Sequence, residues 1–134
     1  MKTKVQLALD ELWAGIITHF YYDLLNHRLT FGVMVTKNVE VTTYKVSIDE
    51  IVSIIFDDPS SEEYANYDWE IMEVSAFHYS LDSKFAYRIC FPASDNGQEV
   101  ERTGSFNLLL EMFSAEIYIR AKRLQINEKT FQLL

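Results

Sequence analysis

Ile16-Ile-Thr-His-Phe-Tyr-Tyr-Asp-Leu-Leu-Asn-His-Arg-Leu-Thr-Phe-Gly-Val-Met-Val35 is the stretch on which the fold turns. From Arg28 it alternates: Leu29, Phe31, Val33 and Val35 share one face, and Arg28, Thr30, Met34 and Thr36 the other. A period of two marks a half-buried strand, because successive side chains leave a strand on opposite sides. Upstream, Ile16, Phe20, Tyr22 and Leu24 give a matching apolar stripe, and Leu25 to His27 supply a turn. The two halves read as a hairpin on which the remaining strands pair or pack.

Working outward, residues 3 to 14 read as a short helix. Thr3 is its N-cap and Gly15 its stop, and Leu9, Leu12 and Trp13 are expected on the sheet or over one open end of it. Beyond the hairpin, Lys37-Asn38 turns the chain into a strand over Val39 to Ile48, with Tyr44, Val46 and Ile48 inward. Residues 51 to 56 read as a separate short strand buried on both faces, ended by Asp57-Asp58-Pro59-Ser60-Ser61. A long connection follows, then a strand of poor periodicity over Trp69 to Leu81 and a turn at Asp82-Ser83.

Phe85, Tyr87, Ile89 and Phe91 form the inner face of the next strand, and Asn96-Gly97 suits a tight hairpin turn. Strand pattern resumes at Ser105 with Phe106, Leu108, Leu110 and Met112. A helix across 106 to 116 is the competing reading there. Ala115 to Ile126 alternates as regularly as the stretch after Arg28, and Phe131 and Leu133 close the sheet. Many short strands with frequent turns and one helix predict a mainly β chain. It would be an antiparallel β-sandwich or flattened barrel of about eight strands with a short N-terminal helix, in a single domain over 1–134.

The totals bound the function. The chain has 134 residues, a hydrophobic share of 49% and one cysteine, so a packed core is expected and an internal disulfide is not. No apolar run approaches a membrane span, and the opening segment lacks a secretory pattern, which predicts a cytoplasmic protein. A net charge of −8 argues against nucleic acid and anionic membrane surfaces as partners and favours a basic protein.

That charge is unevenly spread. Val46 to Ser83 holds ten Asp or Glu and no Lys or Arg, with Tyr64, Tyr67 and Trp69 among the densest acids. Acid runs commonly form solvated faces. Interleaved aromatics also suit a protein-binding surface, in which acids steer a basic partner and aromatics anchor it. On the second reading the interface comprises Asp57, Asp58, Glu62, Glu63, Tyr64, Tyr67, Asp68 and Trp69.

Other chemistries find less support. The acids lack the spacing and central glycine of a calcium loop, and His19, His27, His78 and Cys90 are scattered, so no metal or cofactor is expected. No nucleophile elbow or phosphate loop occurs, and no enzyme activity is expected. The alternatives are a barrel holding a small apolar ligand and an enzyme with carboxylate-based chemistry. An edge strand could also support a homodimer.

Leu12-Trp13, the pair Asp-Leu-Leu-Asn-His-Arg-Leu-Thr-Phe and the closing segment Ile117 to Phe131 together resemble a known layout. It is that of the small acidic β-rich immunity proteins of bacterial polymorphic toxin systems. The resemblance implies a cytoplasmic inhibitor that occludes a toxin, and it carries no catalytic residue.

Overall fold

A computed structural model describes residues 1–57, 73–93, 98–112 and 115–134. Its elements are α1 (Lys4–Asp10), β1 (Ile16–Asp23), β2 (Arg28–Lys37), β3 (Glu40–Asp57) and β4 (Val74–Tyr79). They continue with β5 (Phe85–Ala93), β6 (Gln98–Phe106), β7 (Leu108–Met112), β8 (Ala115–Ile126) and β9 (Lys129–Gln132). Every ladder is antiparallel.

The main sheet runs β1-β2-β3-β8-β7-β4, with β9 beside β8. It rolls until its two edges meet: Ile16 bridges Glu73, Ala14 N–H donates to the Val74 carbonyl at 2.9 Å, and Val74 N–H donates to the Gly15 carbonyl at 2.8 Å. The result is a flattened barrel whose seam is held at one end. Leu29, Phe31, Val33, Val46, Ile48, Phe77, Leu108, Leu110, Ile117, Ile119 and Leu124 fill its interior, each at most 3% exposed. Phe31 is the hub, stacked on Phe20 at 5.9 Å and close to Phe77 at 6.2 Å.

Strands β2 and β8 follow their alternation as expected, and 108–112 is strand rather than helix. Four expectations need correction. First, the helix ends at Asp10, not beside Gly15, and Ala14 takes the left-handed turn at φ 60°. Gly15 is required for a different reason: any Cβ there would collide with the Val33 side chain and the Leu12 carbonyl. Leu9 and Leu12 are buried as expected, but Trp13 is 66% exposed.

Second, β1 changes phase. Its register shifts between Ile17 and His19, so Ile17 rather than Ile16 enters the core, Phe20 and Tyr22 are half-buried, and Leu24 is exposed. Such a bulge reverses the inward set of side chains partway along a strand.

Third, 39–48 and 51–56 belong to one strand, β3. Glu50 takes φ 52°, and the register shift between Ile51 and Ser53 bends β3 without breaking its pairing to β8. Its second half is not buried on both faces, since Val52 is 60% exposed and Phe56 48%. Fourth, β6 begins at Gln98, well before Ser105, and β5 and β6 pair as a two-stranded arm.

The arm springs from β4 and β7 at a buried joint. Asn107 is fully buried; its side-chain amide donates to the Ala121 carbonyl at 2.8 Å and accepts from Ala121 N–H at 3.1 Å. Its backbone accepts from Ser80 N–H and donates to the Ile119 carbonyl. From there the arm folds back over the outer face of β8. Tyr87 and Phe106 contact Tyr118 edge-on, with ring centroids 5.0 and 5.8 Å away, and this makes a small second layer.

Helix α1 covers the other side of β4. Thr3 caps it, accepting from Gln6 N–H at 3.1 Å. Gln6 then uses its own amide as a strand would: it donates to the Phe77 carbonyl at 2.8 Å and accepts from Tyr79 N–H at 2.7 Å. Seven residues of helix are too few to persist alone, so this clasp and the burial of Val5 and Leu9 hold it.

Candidate functional site

Of the eight residues expected at an interface, Asp57 is described; Asp58, Glu62, Glu63, Tyr64, Tyr67, Asp68 and Trp69 lie outside the described residues. Asp57 ends β3 on the outer face of the sheet, directly opposite Glu116 of β8. Glu116 is in turn opposite Glu111 of β7. Three carboxylates therefore stand in a row across three adjacent strands. Like charges placed directly opposite destabilise a sheet.

The arm frames this row with phenols. Tyr118 O–H donates to Glu116 Oε2 at 2.6 Å. That bond, then burial and the charges of Glu116 and Asp57, hold the Tyr118 phenol well above its ordinary value. The Tyr87 phenol is pushed up as well, chiefly by burial and then by Asp57. At the far end of the row, His78 Nε2 lies 3.5 Å from Glu111 Oε2, with both side chains partly exposed.

Beside Asp57, Phe56 forms an aromatic lip with Phe20 and Tyr22, whose ring centroids lie 6.2 and 5.9 Å away. Phe56 pairs with the buried Ile117, so it points to the face opposite Asp57 and extends the core-side aromatic cluster of Phe20 and Tyr22. Glu111, Glu116, Tyr87, Tyr118 and Phe56 were not singled out from the sequence. The outward phase of Glu116 and Tyr118 was readable, but the neighbour across the ladder was not.

The acid-rich run is not one surface. Asp49, 6% exposed, pairs with Arg28 through Nε and lies 3.8 Å from Arg123 Nε, and Glu50 lies 3.8 Å from Arg123 Nη1. These two acids are neutralised across strands by bases that are distant in the chain.

Among the described residues no group of three or more His, Cys, Asp or Glu is placed to hold a metal ion. No described helix is long and apolar enough to cross a membrane. A groove of about 730 Å³ opens between α1 and the β8–β9 turn, on the side of the sheet that faces the core. Leu7, Ala8, Tyr44, Ile126 and Phe131 line it. Burial there, and then the charge of Glu11, push the Tyr44 phenol up.

No curated protein matches the chain. The family model described as YxiG-like protein matches residues 5–131. With that match running from the first turn of α1 into β9, the chain belongs to the YxiG-like protein family.

Proposed function

We propose that this chain is a non-catalytic protein-binding module, an immunity-type inhibitor acting in the cytoplasm on a basic toxin or enzyme domain. The contact surface comprises the acidic and aromatic residues Asp57, Asp58, Glu62, Glu63, Tyr64, Tyr67, Asp68 and Trp69 together with the outer face of β8 and β7 next to Asp57. One observation carries the reading: Asp57, Glu116 and Glu111 stand opposite one another on adjacent strands. Such a row costs the isolated chain stability that a lysine or arginine from a partner would restore. The net charge of −8 and the likeness to acidic β-rich immunity proteins support the same reading.

The test is capture of partners at low salt, comparing wild type with a variant combining Asp57→Ser, Asp58→Ser, Glu62→Ser and Glu63→Ser. The expected result is one basic protein retained by wild type and lost by the variant. Association of that pair should slow by about tenfold or more between low and physiological ionic strength, since steering by exposed charges is screened. Equal capture by both chains, or an association rate indifferent to salt, would remove the acidic stretch from the interface.

A further inference from the structure

The outer face of β2, β3 and β8 carries a second, differently charged site. Register sets Asp49 opposite Arg123, Thr30 opposite Ser47 and Ser47 opposite Gln125, and Gly32 opposite Lys45; the ion pair of Arg28 with Asp49 and the hydrogen bonds of Asn127 with Lys45 complete three rows. Between the outer rows lies a pocket of about 280 Å³, and Arg28, Thr30, Lys45, Ser47, Asp49 and Gln125 line it. In a chain of net charge −8, two cations here face one carboxylate.

That carboxylate is already engaged. Asp49 takes Arg28 Nε on Oδ1, while its Oδ2 lies 3.5 Å from Ser47 Oγ and 3.8 Å from Arg123 Nε. Asp49 therefore orients Arg28 and leaves the two terminal guanidinium nitrogens, Nη1 and Nη2, for a ligand. Lys45 is anchored on the far side by its backbone: its N–H donates to Asn127 Oδ1 at 2.8 Å, and its carbonyl accepts from Asn127 N–H at 2.8 Å. Gly32 contributes no side chain, and a Cβ there would collide with the His19 ring, which covers the Gly32 backbone instead.

We propose that this pocket binds the phosphate group of a small phosphate monoester, held by Arg28 on one side, Lys45 on the other and the Thr30 and Ser47 hydroxyls beneath. Strand spacing sets the Cα atoms of Arg28 and Lys45 roughly 14 Å apart, a gap that two long side chains and one phosphate fill. A guanidinium fork, an ammonium and two hydroxyls converging from three directions suit a tetrahedral dianion better than a planar carboxylate, which a single fork satisfies. The acids at the far end of the sheet lie beyond a Debye length at physiological salt and do not oppose it. The volume admits a phosphate carrying only a short organic body.

The site is independent of the protein-binding surface, and its test needs no partner. Inorganic phosphate, glycerol phosphate and acetate are titrated into the full chain at constant ionic strength, with amide shifts of β2, β3 and β8 followed by NMR. Saturable binding of both phosphates at millimolar concentration is expected, weakened about tenfold or more by Lys45→Gln and by Arg28→Gln. Lys45→Gln keeps its backbone bonds to Asn127, so it remains informative if Arg28→Gln fails to fold. Shifts that do not saturate, binding unchanged in Lys45→Gln, or acetate binding as tightly as phosphate would overturn the assignment.

Discussion

The phenol of Tyr118 sits under the β5–β6 arm with Glu116 as its acceptor and Asp57 nearby, so its proton cannot leave without placing a third negative charge among them. A group whose value is raised on folding binds its proton more tightly in the folded chain. Its contribution is complete below the ordinary value of 10.0 and is lost as pH climbs beyond it toward the folded value. Wild type should therefore lose stability above about pH 10 more steeply than Tyr118→Phe, as read by urea unfolding at stepped pH. At neutral pH the substitution should cost about 0.5–1.5 kcal/mol, the worth of one hydrogen bond. Identical alkaline slopes would show that the phenol titrates freely. The outward phase of Tyr118 was readable from the chain alone, but its surroundings were not, because Tyr118 gains its meaning from Asp57 and Tyr87, which only the folded sheet brings near. Asp49 teaches the same lesson in reverse: it looked like one more acid in an uncompensated run, and Arg28 and Arg123 neutralise it.

Among the elements, legibility follows the regularity of the alternation. Strand β2, and β8 up to Ala121, could be read from the sequence because one face is buried there, so apolar and polar residues must alternate; beyond Ala121 the buried set of β8 passes to Leu124 and Ile126. In strand β1 the inward phase of Phe20 and Tyr22 was legible, but Ile16 was placed inward where Ile17 is buried, because the bulge between Ile17 and His19 reverses the phase and no residue type announces that. Strand β3 was cut in two because Asp49-Glu50 resembles a turn, whereas the left-handed Glu50 only bends it. The role of α1 was invisible for another reason: Gln6 works through its amide geometry and not through hydrophobicity. Gln6→Ala should remove both bonds to the edge of β4 and cost about 1–3 kcal/mol, measured by thermal or urea unfolding. The loss should appear with β4 amides exchanging faster and those of β2 unaltered; uniform exchange would mean that α1 does not guard that edge.

Across the whole molecule, charge is sorted by place rather than by total. The carboxylate row lies toward the β7 side of β8, and the Arg28–Lys45 pocket lies toward the β2 side of β3, so one sheet offers an acidic end and a locally basic one. Net charge predicted the first and concealed the second. The seam between β1 and β4 has a consequence in time as well as in space. Its hydrogen bonds join Ala14 and Gly15 to Val74, roughly sixty residues away along the chain, whereas β2–β3 and β8–β9 close over a few. Distant closures carry the larger entropy cost and come after the near ones. During refolding, pulse-labelled exchange should find the Val74 amide protected later than those of β2, which makes the joining of the barrel's two edges a late event that follows the local hairpins rather than the seed of folding.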